Sequence, residues 1–291
     1  MTTTTFEQPL LVDPTWLHAN LHNDNLVLID ASNEVGATDD NDAPVNKGIG
    51  YYEHEHIPGA VHADLLRGLA ERKALYRHNI LTSEKFEQAI GRLGVSNDSH
   101  VVIYDQGPNH WATRLWWNLR LEGFDRISIL NGGLPAWKDA GYETASGIER
   151  SEPATFTAKR RPELLATKEQ VLGYLDDDSV ILINALDADT FVGRNADYGR
   201  PGHIPGSVNL PAPELFDESG KFADAPSAQR YENIGAMDSD KHPVTYCGAG
   251  VFAAMTAFDM ARNGRADVAV YDGSMSEWAA DESLPLVTGE E

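Results

Sequence analysis

The chain has 291 residues, 42% of them hydrophobic, and no apolar run approaches the roughly 20 residues that cross a bilayer, which excludes a helical membrane partner. Its 45 acidic against 23 basic side chains leave a formal charge of −22, and phosphate binding needs a positive footprint, so a nucleic-acid partner is excluded too. A single cysteine, Cys247, rules out an internal disulfide and a cysteine-rich metal site.

The N-terminal MTTTTFEQPL lacks the basic region and apolar stretch of a secretory signal, so the expected compartment is the cytoplasm. Acidic residues occupy nearly every segment, a pattern that suits a protein kept soluble at high salt. The first strand-like run is LVLIDAS at 26–32, followed by the turn HIPGAVHAD at 56–64. SEKFEQAIGRLGV then reads as a helix with Ser83 as N-cap, Phe86, Ile90 and Leu93 on one face, and Gly94 at its end. VVIYDQG at 101–107 and ISILNGGLPAW at 127–137 complete a set of four landmarks.

The same four recur in the same order: VILINAL at 180–186, GHIPGSVNLP at 202–211, PVTYCGAG at 243–250 and VAVYDGSMSEW at 268–278. Such repetition marks a duplicated unit of about 120 residues. The runs LVLI, VVIY, VILI and VAVY are short, continuous and β-branched, as strands buried on both faces of a parallel sheet are. The expected fold is therefore α/β, with two tandem domains, each a mostly parallel sheet flanked by helices. They span 8–145 and 165–287, with the polar stretch 146–164 as linker. His56 and His203 are expected to hydrogen-bond their own turns, and Trp137 and Trp278 to lie in the two cores.

YCGAGVFAA at 246–254 admits two chemistries. Gly248, Gly250 and Ala253 fit a GxGxxA dinucleotide fingerprint, with Asp272 at the spacing expected for a ribose contact. Only 19 residues follow Asp272, too few for the remaining strands and helices of that fold, and the matching turn DQGPNHW lacks the glycines. Read instead as a nucleophile loop, the small side chains let successive N–H groups converge on an anion at a helix N-terminus, which favours a Cys247 thiolate. A cysteine-dependent phosphatase needs an arginine six residues after the cysteine, where Ala253 stands.

The duplicated HIPGA and HIPGS, the cysteine loop of the second half and YDGSMSEW together resemble the two-domain rhodanese family of thiosulfate and 3-mercaptopyruvate sulfurtransferases, over residues 8–287. The resemblance implies a catalytically inactive first domain, with Asp105 in place of the cysteine, and a catalytic second domain. Cys247 would take a sulfane sulfur from a small anionic donor, thiosulfate or 3-mercaptopyruvate, as a persulfide. The N–H groups of Gly248, Ala249, Gly250, Val251 and Phe252 would hold it, and a thiol or cyanide would accept it, without cofactor or metal. CGAGV stands nearer the CGSGV of mercaptopyruvate-preferring members than the CRKGV of thiosulfate-preferring ones, but Ala249 lacks the serine hydroxyl and Phe252 replaces a threonine. Thr190 occupies the slot of the family's substrate arginine, so Arg194 and Arg200 are the nearest cationic candidates. Asp64 and His78 match an acid and a histidine of the mercaptopyruvate-type cleft. The alternative implied by the same loop is a non-enzymatic carrier that hands persulfide sulfur to a partner protein.

Overall fold

The computed structural model describes residue 6 and residues 8–38, 44–71, 79–223 and 227–289. Two five-stranded sheets form, both wholly parallel. From edge to edge the first runs Leu11–Val12, Ile127–Leu130, His100–Tyr104, Leu26–Asp30, Val61–His62. The second runs Leu165–Ala166, Ala269–Tyr271, His242–Tyr246, Val180–Asn184, Val208–Asn209. The strand order is the same in both. Register repeats as well: Leu26 pairs with His100 and Asp30 with Tyr104, as Val180 pairs with His242 and Asn184 with Tyr246. The strands read as unbroken apolar runs because helices cover both faces, and every residue of His100–Tyr104 is buried.

Each central strand feeds a loop and then a twelve-residue helix, His110–Leu121 in the first domain and Val251–Arg262 in the second. These two helices pack on each other, with Trp116 and Phe258 edge to face at 5.0 Å. One apolar cluster consequently runs from Ile103 and Trp116 through Phe258 to Val244 and Ile183. Burying each such side chain contributes roughly 1.5–3 kcal/mol, so the domains are joined by shared core rather than by the chain alone. Among the described residues no helix is long and apolar enough to cross a membrane.

The polar stretch 146–164 lies along the first domain. Phe156 is buried edge to face against Phe86 and Phe124 at 6.1 and 5.8 Å. The Ala154 N–H donates to the Gly91 carbonyl at 2.8 Å, and the Arg161 N–H to that of Leu121 at 2.7 Å. Here the local basic cluster is also spent, Arg160 on Glu122 and Arg161 on Asp125.

Both HIPG turns are tied down identically. The Ile57 N–H donates to the Tyr104 hydroxyl at 2.9 Å, and the Ile204 N–H to that of Tyr246 at 3.2 Å. His56 Nδ1 meets the Tyr52 carbonyl at 2.7 Å and His203 Nδ1 the Phe191 carbonyl at 2.8 Å, so both histidines serve their own turns. Trp137 and Trp278 are buried, each donating its indole N–H to a carbonyl a few residues on. The helix expected to start after a Ser83 cap instead has Thr82 at the N-cap and spans Ser83–Gly91. The Ser83 hydroxyl is drawn away by a stronger acceptor, the buried Glu122 carboxylate, at 2.7 Å. Gly94, at φ 84°, ends the turn that follows.

Candidate active site

Cys247 and Asp105 occupy equivalent places, each next after the central strand of its sheet and each 2% exposed. Carboxyl ends of parallel strands are where such sheets bind ligands. From there the chain turns into the long helix through a left-handed residue, Asn109 at φ 65° or Gly250 at φ 77°.

In the first domain the loop closes on the Asp105 carboxylate. Oδ1 accepts from the N–H groups of Gly107 and Asn109 at 3.0 and 2.9 Å, and Oδ2 from those of Trp111 and Ala112 at 3.0 and 3.2 Å. Four main-chain donors thus surround a built-in anion, which lets a buried carboxylate and a helix N-terminus satisfy each other. In the second domain the thiol of Cys247 takes the carboxylate's place. Among the described residues, the N–H groups of Gly248, Ala249, Gly250, Val251, Phe252 and Ala253 have no hydrogen-bond acceptor. Loop N–H groups left without a partner at a helix N-terminus form a site for negative charge.

The carbonyls of Cys247, Gly248 and Gly250, by contrast, are engaged from behind. The Met275 N–H donates to the Cys247 carbonyl at 3.0 Å, and the Ser276 N–H and hydroxyl to that of Gly248 at 2.9 and 2.7 Å. The Cys247 N–H donates to the Ser274 hydroxyl at 3.1 Å, which in turn donates to the Tyr271 carbonyl at 2.7 Å. Ser274 adopts φ 51° to do so, a conformation that costs a non-glycine residue and so is held by its contacts. YDGSMSEW is therefore the clamp that sets the loop's orientation. The Gly250 carbonyl accepts from Arg114 Nη1 at 3.2 Å, and Arg114 Nη2 pairs with Asp272 at 2.6 Å. A methyl on Gly250 would collide with both. Asp272, the residue a dinucleotide would need for its ribose, is instead committed to a guanidinium of the first domain. Phe252 faces the same domain boundary, edge to face with His110 at 6.0 Å.

The expected substrate residues fall differently. Arg194 is exposed and paired with Asp189. Arg200 donates to four main-chain carbonyls, those of Ala279 (2.9 Å), Leu284 (3.0 Å), Trp278 (3.2 Å) and Asp281 (2.7 Å), and so staples the C-terminal turn. Neither guanidinium is brought to Cys247, because each finds its acceptors within its own surface. Asp64 caps a turn: its Oδ1 accepts from the N–H groups of Leu66 and Arg67, both at 3.0 Å, and from Asn46 at 3.1 Å. His78 lies outside the described residues. What the structure does bring to the loop is Tyr198, packed on Gly248, and Arg114 from the first domain. A tyrosine in the polar RNADYGR carries no periodicity that would single it out, and Arg114 sits in a helix whose sequence reports only burial.

Residues 13–140 and 167–281 both match the rhodanese-like domain. The chain is 33% identical over 301 residues to thiosulfate/3-mercaptopyruvate sulfurtransferase 2 of Arabidopsis thaliana, covering 95% of this chain and 86% of that protein. It is 32% identical over 279 residues to the 3-mercaptopyruvate sulfurtransferase of Escherichia coli K12, covering 94% and 96%. Among solved structures, SseA from Escherichia coli superposes with a TM-score of 0.78 at 29% identity, over 92% of this chain and 99% of that one. Tum1 from Saccharomyces cerevisiae, at 20% identity and a TM-score of 0.78, shares the fold.

Proposed function

Because the chain belongs to the rhodanese family, with two rhodanese-like domains in tandem, we propose that it moves a sulfane sulfur from thiosulfate or 3-mercaptopyruvate to cyanide or a thiol through a persulfide on Cys247. The observation that carries this reading is the pair of matching loops. One wraps four N–H groups around a carboxylate, and the other puts a cysteine at the equivalent chain position, followed by N–H groups that have no acceptor among the described residues. An anion is what the second loop is shaped to hold. Thiolate and persulfide supply it in turn.

In the first half-reaction the Cys247 thiolate attacks the outer sulfur of the donor. With thiosulfate the S–S bond breaks and its electron pair leaves on sulfite. With 3-mercaptopyruvate the C–S bond breaks, the pair goes to the methylene carbon, and that carbon takes the thiol proton to leave as pyruvate. Either way Cys247 carries an anionic persulfide. In the second half-reaction cyanide or a thiolate attacks the outer sulfur, forms thiocyanate or a new persulfide, and returns the electron pair to Cys247. Negative charge stays on sulfur under the loop throughout, where each charge-assisted hydrogen bond contributes about 1.5–3 kcal/mol. Asp105 supports no such cycle in the first domain, since its carboxylate repels an anionic donor and its N–H groups are already occupied.

The Arabidopsis relative is named for both donors and the Escherichia coli relative for 3-mercaptopyruvate, which supports testing both. The test is to incubate the protein with each donor plus cyanide, follow thiocyanate, and weigh Cys247 after donor alone. Thiocyanate release with a gain of one sulfur on Cys247 is expected. Neither product with either donor would overturn the proposal.

A further inference from the structure

Both donors are anions, yet Arg194 is held by Asp189 and Arg200 by main-chain carbonyls. What the same segment does deliver to the catalytic loop is a phenol. Tyr198 presses on Gly248 so closely that a methyl group there would overlap its hydroxyl and ring carbons, so only glycine at 248 permits the approach. The Tyr198 ring packs against the core while the side chain stays partly exposed. Its hydroxyl has no hydrogen bond to any described residue. A tyrosine that buries its ring usually finds a partner for its O–H, and here the neighbour is the residue that follows the nucleophile.

Burial, and after it the neighbouring Cys247, push the Tyr198 phenol up to about 12. It therefore keeps its proton at physiological pH and can donate a hydrogen bond.

Resting on the reading of Cys247 as the sulfur acceptor, we propose that the Tyr198 hydroxyl donates a hydrogen bond to the anionic group of the sulfur donor as it lies against Cys247. Tyr198 is then a catalytic residue that recognises substrate charge with a neutral group. A hydrogen bond from a neutral donor is screened by salt far less than an ion pair is, and in a chain of net charge −22 it needs no guanidinium to compete with surrounding carboxylates.

The experiment compares wild type, Tyr198→Phe and Tyr198→Ala with thiosulfate and with 3-mercaptopyruvate, cyanide as acceptor, and measures alkylation of Cys247 by neutral iodoacetamide alongside. Loss of the hydroxyl alone in Tyr198→Phe should raise the donor KM by roughly tenfold while alkylation and melting temperature stay at wild-type values. Tyr198→Ala should do no worse for KM than a few-fold beyond that. A wild-type KM in Tyr198→Phe with an impaired Tyr198→Ala would show a packing role only and overturn the proposal, as would a fall in alkylation proportional to the fall in turnover. Wild type that turns over neither donor would instead sink the assignment of Cys247, and this inference with it.

Discussion

Arg114 of the first domain and Asp272 of the second form an ion pair of 2.6 Å with side chains only 2% and 8% exposed. The same guanidinium donates to the Gly250 carbonyl in the Cys247 loop, and the Ile80 N–H adds a contact to Asp272 at 3.2 Å. The first domain thus helps to hold the shape of the Cys247 loop. Removing one partner of a buried pair strands the other charge, so Arg114→Leu should lose about 3–5 kcal/mol of unfolding free energy in urea. Arg114→Lys keeps a charge for Asp272 but gives up the planar fork that reaches Gly250 as well. Its kcat/KM should fall about tenfold with a smaller loss of stability; equal kcat/KM for Lys and Arg would show that the Gly250 contact is idle.

Cys247→Ser changes one atom in a loop held from behind by Ser274, Met275 and Ser276. Thiocyanate formation should vanish from both donors, while the urea midpoint moves by the equivalent of no more than about 1 kcal/mol. Residual turnover above a no-enzyme control would remove Cys247 from the mechanism.

Asp105→Ala empties a cradle of four N–H groups. Stability should fall by about 3 kcal/mol, the cost of leaving buried donors unpaired. Added formate should raise the melting temperature of this variant by more than that of wild type, because only the variant adds an empty first-domain cradle to the N–H groups of the Cys247 loop. A variant indifferent to formate would mean the four N–H groups do not form an anion site.

The Asp281 carboxyl is drawn down to about 2, first by the Ser283 hydroxyl and then by Lys168. A carboxyl held below its unfolded value stabilises the fold above that value and loses the contribution as pH falls through the folded one. The gap in melting temperature between wild type and Asp281→Asn should therefore be constant near neutrality and close between the ordinary carboxylate range and about 2. A gap unchanged across that window would deny the Asp281 contacts any role in stability.

Net charge of −22 makes the folded chain repel itself, and added salt shortens the range of that repulsion. Melting temperature should rise steadily as KCl goes from ~0.1 M to ~2 M. A fall over that range would show that attractive pairs such as Lys138–Glu55 and Lys168–Asp281 outweigh the net repulsion.

The duplicated fold was legible because its signals are local. Four apolar runs of strand length, each followed by a turn or helix start, specify buried parallel strands whatever else surrounds them. HIPG was legible as a turn for the same reason, and in both domains its isoleucine N–H meets a tyrosine hydroxyl at the end of the central strand. Ser83, expected as the cap, does not hold that place, because Glu122, distant in sequence, offers its hydroxyl a better acceptor.

The amino-acid sequence by itself determined the two α/β domains, the strand–loop–helix around Cys247, and the substitution of Asp105 at the matching turn, since backbone turn chemistry is written within a few residues. Only the tertiary structure decided which polar side chains serve that loop. Arg194 and Arg200 flank Tyr198 in one short segment but are captured by acceptors on their own surface, whereas Tyr198 and Arg114 reach the loop through packing on Gly248 and across the domain boundary. A side chain's partner is set by which groups the folded core brings within hydrogen-bond range, and that distance has no counterpart in sequence spacing.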